Sequence, residues 1–100
     1  MITKKIFDIE FEIFPEIDLK TIENRFKEPL KYIKSSMINY IEISDLNEIY
    51  IYMNKNGEPE NEWNETTIQF AQLLNKFGFD AFLSDQDYGY IDVIVINEWL

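Results

Sequence analysis

Phe7, Ile9, Phe11 and Ile13 alternate with Asp8, Glu10 and Glu12. A period of two predicts a strand with one buried face, and Pro15 ends it. Asp18 is placed to cap a helix whose apolar positions, Leu19, Ile22, Phe26, Leu30 and Ile33, recur every three or four residues. Pro29 falls inside that pattern, so the helix either kinks there or restarts with the proline in a new first turn. Ile41 and Ile43 begin a second strand, and Ile49, Ile51 and Met53 mark a third, joined across residues 44–48 as a hairpin. In that register Tyr40, Glu42, Tyr50 and Tyr52 face the other way.

Asn56-Gly57 is a common hairpin signal, but Glu58, Pro59 and Glu60 follow and are poor strand material. A loop therefore runs to about Asn64. Thr66 with Gln69 reads as a capping box that opens a second helix, with Phe70, Leu73, Leu74 and Phe77 inward and Gly78 as its left-handed cap. A short strand, Phe79 to Leu83, leads through a turn at residues 84–89 into a last strand, Tyr90 to Ile96. That strand is apolar throughout apart from Asp92, which suits a position covered on both faces or in mid-sheet. The order β-α-β-β-α-β-β predicts an α+β, two-layer sandwich. Its first six elements match the ferredoxin-like arrangement, with room for an extra C-terminal hairpin strand.

With 100 residues, 46% of them hydrophobic and 28% charged, the chain is expected to form one globular domain over residues 1–100. Cysteine and histidine are both absent. That removes thiolate zinc sites, cysteine nucleophiles, the serine triad and the commonest metal ligand. The three glycines form no phosphate-cradling loop. Residues 85–96 fail the EF-hand pattern where Gly89, Tyr90 and Ile96 stand in for a ligand, a glycine and a glutamate. Asp8, Glu10 and Glu12 would lie about 6.6 Å apart along one strand face. Paired carboxylates there would suit glycoside chemistry, but a solvated strand face is the ordinary reading. The chain is therefore expected to be no enzyme and to need neither cofactor nor metal.

Nine basic residues against 19 acidic ones give a net charge of -10. Residues 51–100 carry most of it, with Lys55 and Lys76 alone against nine acids. Such a surface repels nucleic acid and the anionic membrane leaflet, and it attracts a basic protein. Lys20, Arg25, Lys27, Lys31 and Lys34 line the first helix, where local pairing with Glu23 and the helix dipole account for them. No apolar run approaches a membrane span or a secretory signal core, so a cytoplasmic location is expected.

Glu58, Glu60, Glu62 and Glu65 surround Trp63 with no cation among them. Trp63 serves either as a staple against the second helix or as a hydrophobic anchor ringed by acids for a basic partner. Asp85 and Asp87, ordinary turn residues in themselves, join that candidate surface. Tyr88 does too, with Tyr50, Tyr52 and Tyr90 adding aromatic area.

In size, acidity, aromatic loops and missing catalytic chemistry, the whole chain resembles small immunity proteins encoded beside bacterial toxins in contact-dependent growth inhibition systems. The resemblance implies neutralisation of a cognate toxin, often a nuclease with a basic cleft, by occlusion. From the charge, no direct nucleic-acid binding is expected, and a monomer or small oligomer is expected. Two rivals share some of these features: a phage-type inhibitor that mimics nucleic acid, and a small-ligand regulatory domain, which would need a pocket.

Overall fold

The computed structural model describes residues 1–44, 48–54, 63–84 and 91–99. Within them the chain is α+β, with two α-helices and a six-stranded sheet. The strands are β1 (Ile2–Ile6), β2 (Ile9–Ile13), β3 (Ile38–Ile43), β4 (Glu48–Asn54), β5 (Asp80–Leu83) and β6 (Ile91–Asn97). The helices are α1 (Leu19–Phe26) and α2 (Glu65–Lys76).

The strand order is β1-β2-β3-β4-β6-β5, with β2 parallel to β3 and every other pair antiparallel. This is not the ferredoxin-like order, in which the strand before the first helix lies mid-sheet beside the strand that opens the second helical unit. Here that strand, β2, pairs directly with its successor β3. On its other side lies β1, a strand the hydrophobic pattern did not predict.

Lys4 and Lys5 hide β1 in the sequence, yet Ile6 pairs with Ile9 and Ile2 with Ile13 across a two-residue turn. Phe7 and Asp8 form that turn with φ of 54° and 63°. Positive φ at both central residues is the geometry that matches the twist of a tight hairpin. Asp8 tolerates it and is tied down by Lys5 at 3.6 Å and by the Ser35 hydroxyl at 3.3 Å. Phe7 does not tolerate it readily. The expected alternation thus starts at Ile9: Phe7 is exposed at the hairpin tip, and Asp8 leaves the strand face to Glu10 and Glu12.

Asp18 caps α1 as expected, its side chain accepting from the Lys20 amide. The helix ends at Phe26, and Pro29 opens a 3-10 turn over Pro29–Tyr32. A second short 3-10 turn, Ser35–Met37, leads into β3. Asn64, not Thr66, caps α2 by accepting from the Thr66 amide, and the Gln69 amide donates to Glu65 instead of closing a capping box. Gly78 (φ 89°) ends α2 in the left-handed conformation, with the Phe79 amide reaching back to the Leu74 carbonyl.

Both helices lie against one face of the sheet. Ile9, Phe11, Ile13, Ile41, Ile43, Ile49, Ile51, Met53, Ile94 and Ile96 point toward Ile22, Phe26, Phe70 and Leu74 in one contiguous core. Phe26 meets Phe11 edge-on at 5.8 Å and Phe79 at 5.2 Å. Trp99, which the hydrophobic pattern did not single out, is fully buried in the same core. Glu98 (φ 47°) turns the chain before it. Arg25 holds the turn: its Nε donates to the Trp99 carbonyl at 2.9 Å, and its guanidinium lies 4.2 Å over the Phe79 ring. Arg25 is therefore committed to the core and is not part of a solvated cationic face.

β6 lies in mid-sheet between β4 and β5, as its unbroken apolar run implies, and its exception has a purpose. The buried Asp92 carboxylate accepts from the Asn64 amide at 2.9 Å and the Thr67 hydroxyl at 2.8 Å, which fixes the first turn of α2 to the sheet. At the other end of α2, the Asn75 side chain bonds both the amide and the carbonyl of Ala81, covering the outer edge of β5.

Two stability effects of opposite sign are expected. Asp92→Ala leaves a buried amide and hydroxyl without their acceptor and should cost about 2–3 kcal/mol, a fall in Tm of roughly 8–20 °C. Phe7→Asn should instead stabilise the fold by about 0.5–1 kcal/mol, because asparagine accepts the left-handed region at lower cost. Thermal unfolding followed by circular dichroism reads both.

Candidate functional site

The face of the sheet turned away from the helices is built from the alternate residues of the same strands. Register fixes the neighbours. Thr3, Glu12, Glu42, Tyr50, Val95 and Phe82 form one row across all six strands, from β1 to β5. Beside it run Lys5 opposite Glu10, and Tyr40 opposite Tyr52, which in turn lies opposite Val93. Phe14, just beyond β2, and Phe82 on β5 are exposed large apolar side chains.

The face is zoned by charge and polarity. β2 and β3 contribute Glu10, Glu12 and Glu42. The middle is aromatic: Tyr40 and Tyr52 stack with centroids 4.3 Å apart and planes 17° from parallel. Tyr50 donates its hydroxyl proton to Glu48 on the same strand. Toward β5 the surface becomes apolar, with Val93 and Val95 buried beside Tyr52, Tyr50 and Phe82.

Electrostatics tie these zones together. The Tyr40 hydroxyl ionises above its ordinary value of 10.0, first because it is partly buried and then because Glu12, Glu42 and Glu10 repel a phenolate. A hydrogen bond with Tyr52 acts in the opposite direction. Three carboxylates from two strands thus act on one phenol. Glu12 and Glu42 are direct register partners, and like charges in that relation destabilise a sheet.

The candidate surface expected from the sequence is placed only in part. Glu58, Glu60, Glu62, Asp85, Asp87 and Tyr88 lie outside the described residues. Trp63 immediately precedes the cap of α2 and remains 36% exposed, so it is not a core residue. Glu65, the first residue of α2, is exposed and accepts from Gln69. These two residues border the helix layer, apart from the Glu12, Glu42 and tyrosine face. Glu10 and Glu12 do share a strand face as expected, and the parallel pairing of β2 with β3 adds Glu42 to them. Sequence alternation marked Tyr40, Glu42 and Tyr52 as outward-facing; only the pairing shows which acids they meet.

Other chemistry is sparse. Among the described residues no group of three acidic side chains is arranged to hold a metal ion. No described helix is long and apolar enough to cross a membrane. A shallow groove of about 230 Å³ lies between the Pro29–Tyr32 turn and α2, lined by Tyr32, Ile33, Thr66, Gln69, Phe70 and Leu73. It carries no charged group, and its volume is below that of a typical small-ligand site. Compared with known protein families, characterised proteins and solved structures, the chain matches none.

Tyr40 supplies a direct readout of the face. Because its folded-state value is raised, its contribution to stability is full below the unfolded value near 10 and is lost as pH rises through the higher folded value. Glu12→Gln with Glu42→Gln should shift the Tyr40 titration back toward 10.0 without reaching it, since burial remains. Phenolate absorbance, with Tyr40→Phe as the subtraction, measures the shift.

Proposed function

We propose that this protein is an immunity-type inhibitor that binds a basic protein, a toxin nuclease domain, and occludes its active-site cleft. The observation that carries the reading is the sheet face on which no described helix lies, where Glu10, Glu12 and Glu42 flank one side of a stacked tyrosine pair. Carboxylates on a rigid sheet can stand where substrate phosphates would otherwise lie in a cationic cleft. The tyrosines beside them and exposed Phe82 supply the desolvated contact that slows release. A protein of net charge -10 is also steered toward a cationic partner over a distance set by ionic strength.

In this reading the chain has no reaction of its own and needs no metal or cofactor. It acts in the cytoplasm, where such a toxin would otherwise find its substrate. Trp63 and Glu65 end the acidic run of residues 58–65 expected from the sequence, and its charge adds to the same long-range attraction. The phage-type alternative uses similar charge against a host enzyme, and the small-ligand alternative gains no support from the shallow groove.

A growth assay tests the proposal. The C-terminal domain of the protein encoded immediately upstream, expressed alone, should arrest growth, and co-expression of this chain should restore it. A harmless domain, or one whose toxicity this chain leaves intact, overturns the reading. For the complex, changing Glu10, Glu12 and Glu42 together to Gln should slow association by about tenfold at low salt and much less at high salt. Stopped-flow mixing across a salt series measures it.

A further inference from the structure

The sheet face offers two kinds of contact side by side, and their combination discriminates between cations. Glu12 and Glu42 are adjacent across β2 and β3. Like charges in that relation cost the sheet stability. Among the described residues of that face the only cation is Lys5, which lies opposite Glu10 and not beside the Glu12 and Glu42 pair. Tyr40 and Tyr52 stack on each other in the next row, 17° from parallel, which leaves the outer face of the Tyr40 ring on the side of β2. Beyond Tyr50 the row continues into Val95 and exposed Phe82.

Resting on the reading above, we infer that the partner docks on this face through arginine and not lysine: a guanidinium lies against the outer face of the Tyr40 ring, which Tyr52 backs, with its fork toward Glu12 and Glu42. The choice follows from the chemistry of the two cations. A guanidinium is planar and weakly hydrated, stacks on aromatic rings, and bonds carboxylates through two parallel N–H groups. An ammonium is a compact, strongly hydrated point charge that gains from the carboxylates but little from a half-buried aromatic surface. Lysine could satisfy the acidic zone alone. A zone where carboxylates border a tyrosine ring suits arginine.

Hexa-arginine and hexa-lysine amides, equal in charge, separate these possibilities when titrated into the intact protein by calorimetry at 20 mM and 150 mM NaCl. Hexa-arginine should bind about fivefold more tightly than hexa-lysine. Tyr40→Leu and Tyr52→Leu should each bring that ratio close to one, and Tyr40→Phe should keep it. Glu12→Gln with Glu42→Gln should weaken both peptides. Amide shifts induced by hexa-arginine should map to β2, β3 and β4, which keeps the test decisive even if a leucine variant fails to fold.

Equal binding of the two peptides, a preference that survives both leucine variants, or shifts mapping elsewhere would overturn the arginine inference. Each of these outcomes leaves the immunity reading standing on its growth assay. Arginine preference on this face combined with a failed growth assay would do the reverse. Binding of neither peptide at 20 mM NaCl overturns the inference outright.

Discussion

Both helices lie on the same side of the sheet, and most of the molecule follows from that. α1 is the crossover between parallel β2 and β3, while α2 is held down by Asp92 at one end and Asn75 at the other. Two helices side by side span about 20 Å, and six strands about 24 Å. One face is therefore covered almost to its margins, and among the described residues no helix lies on the other. The shortfall is visible at β1, where Ile2 and Lys4 point toward the helix side yet remain exposed. Val93 and Val95 on the opposite face are buried too, with Tyr52, Tyr50 and Phe82 as their cross-strand partners.

Local patterning was legible where one residue type had one purpose. The alternation of isoleucines with glutamates and tyrosines gave β2, β3 and β4 their faces. Asp18 and Gly78 gave α1 its start and α2 its end, and the restart at Pro29 was one of two readings a proline in that position allows. What escaped were features decided by distant partners. β1 has an ambiguous pattern and exists because Ile2 and Ile6 meet Ile13 and Ile9 across a turn that contains a phenylalanine. Asn64 outcompeted Thr66 as a cap because the Asp92 carboxylate, nearly thirty residues on, accepts the Asn64 amide. Trp99 and Arg25 join the core through each other. Strand order carries no local signal at all, and so the ferredoxin-like wiring was inferred from element sequence and is not what the chain adopts.

The same distinction separates the two groups of acids. A run such as residues 58–65 draws the eye because its charges are consecutive, while Glu12 and Glu42 are thirty positions apart and unremarkable singly. Parallel pairing converts them into neighbours. Cross-strand placement also makes them stiffer than loop carboxylates, for each is anchored by strand hydrogen bonds on either side.

That parallel pairing also sets an order of events. The β1–β2 turn and the β3–β4 pair close over short stretches of chain, whereas β2 reaches β3 only after more than twenty intervening residues, α1 among them, have been arranged. Hairpins with separate, harmless charges can thus form early. By that criterion the juxtaposition of Glu12 with Glu42 follows the hairpins, when apolar burial beneath α1 is available to offset it, and β4 meets β6 across a still longer stretch. The uncovered face is consequently a property of the finished chain alone: a nascent or partly unfolded copy displays the same residues without the same field. Any ligand that selects the assembled face also selects against those copies, and its binding energy adds to the stability of the fold by mass action.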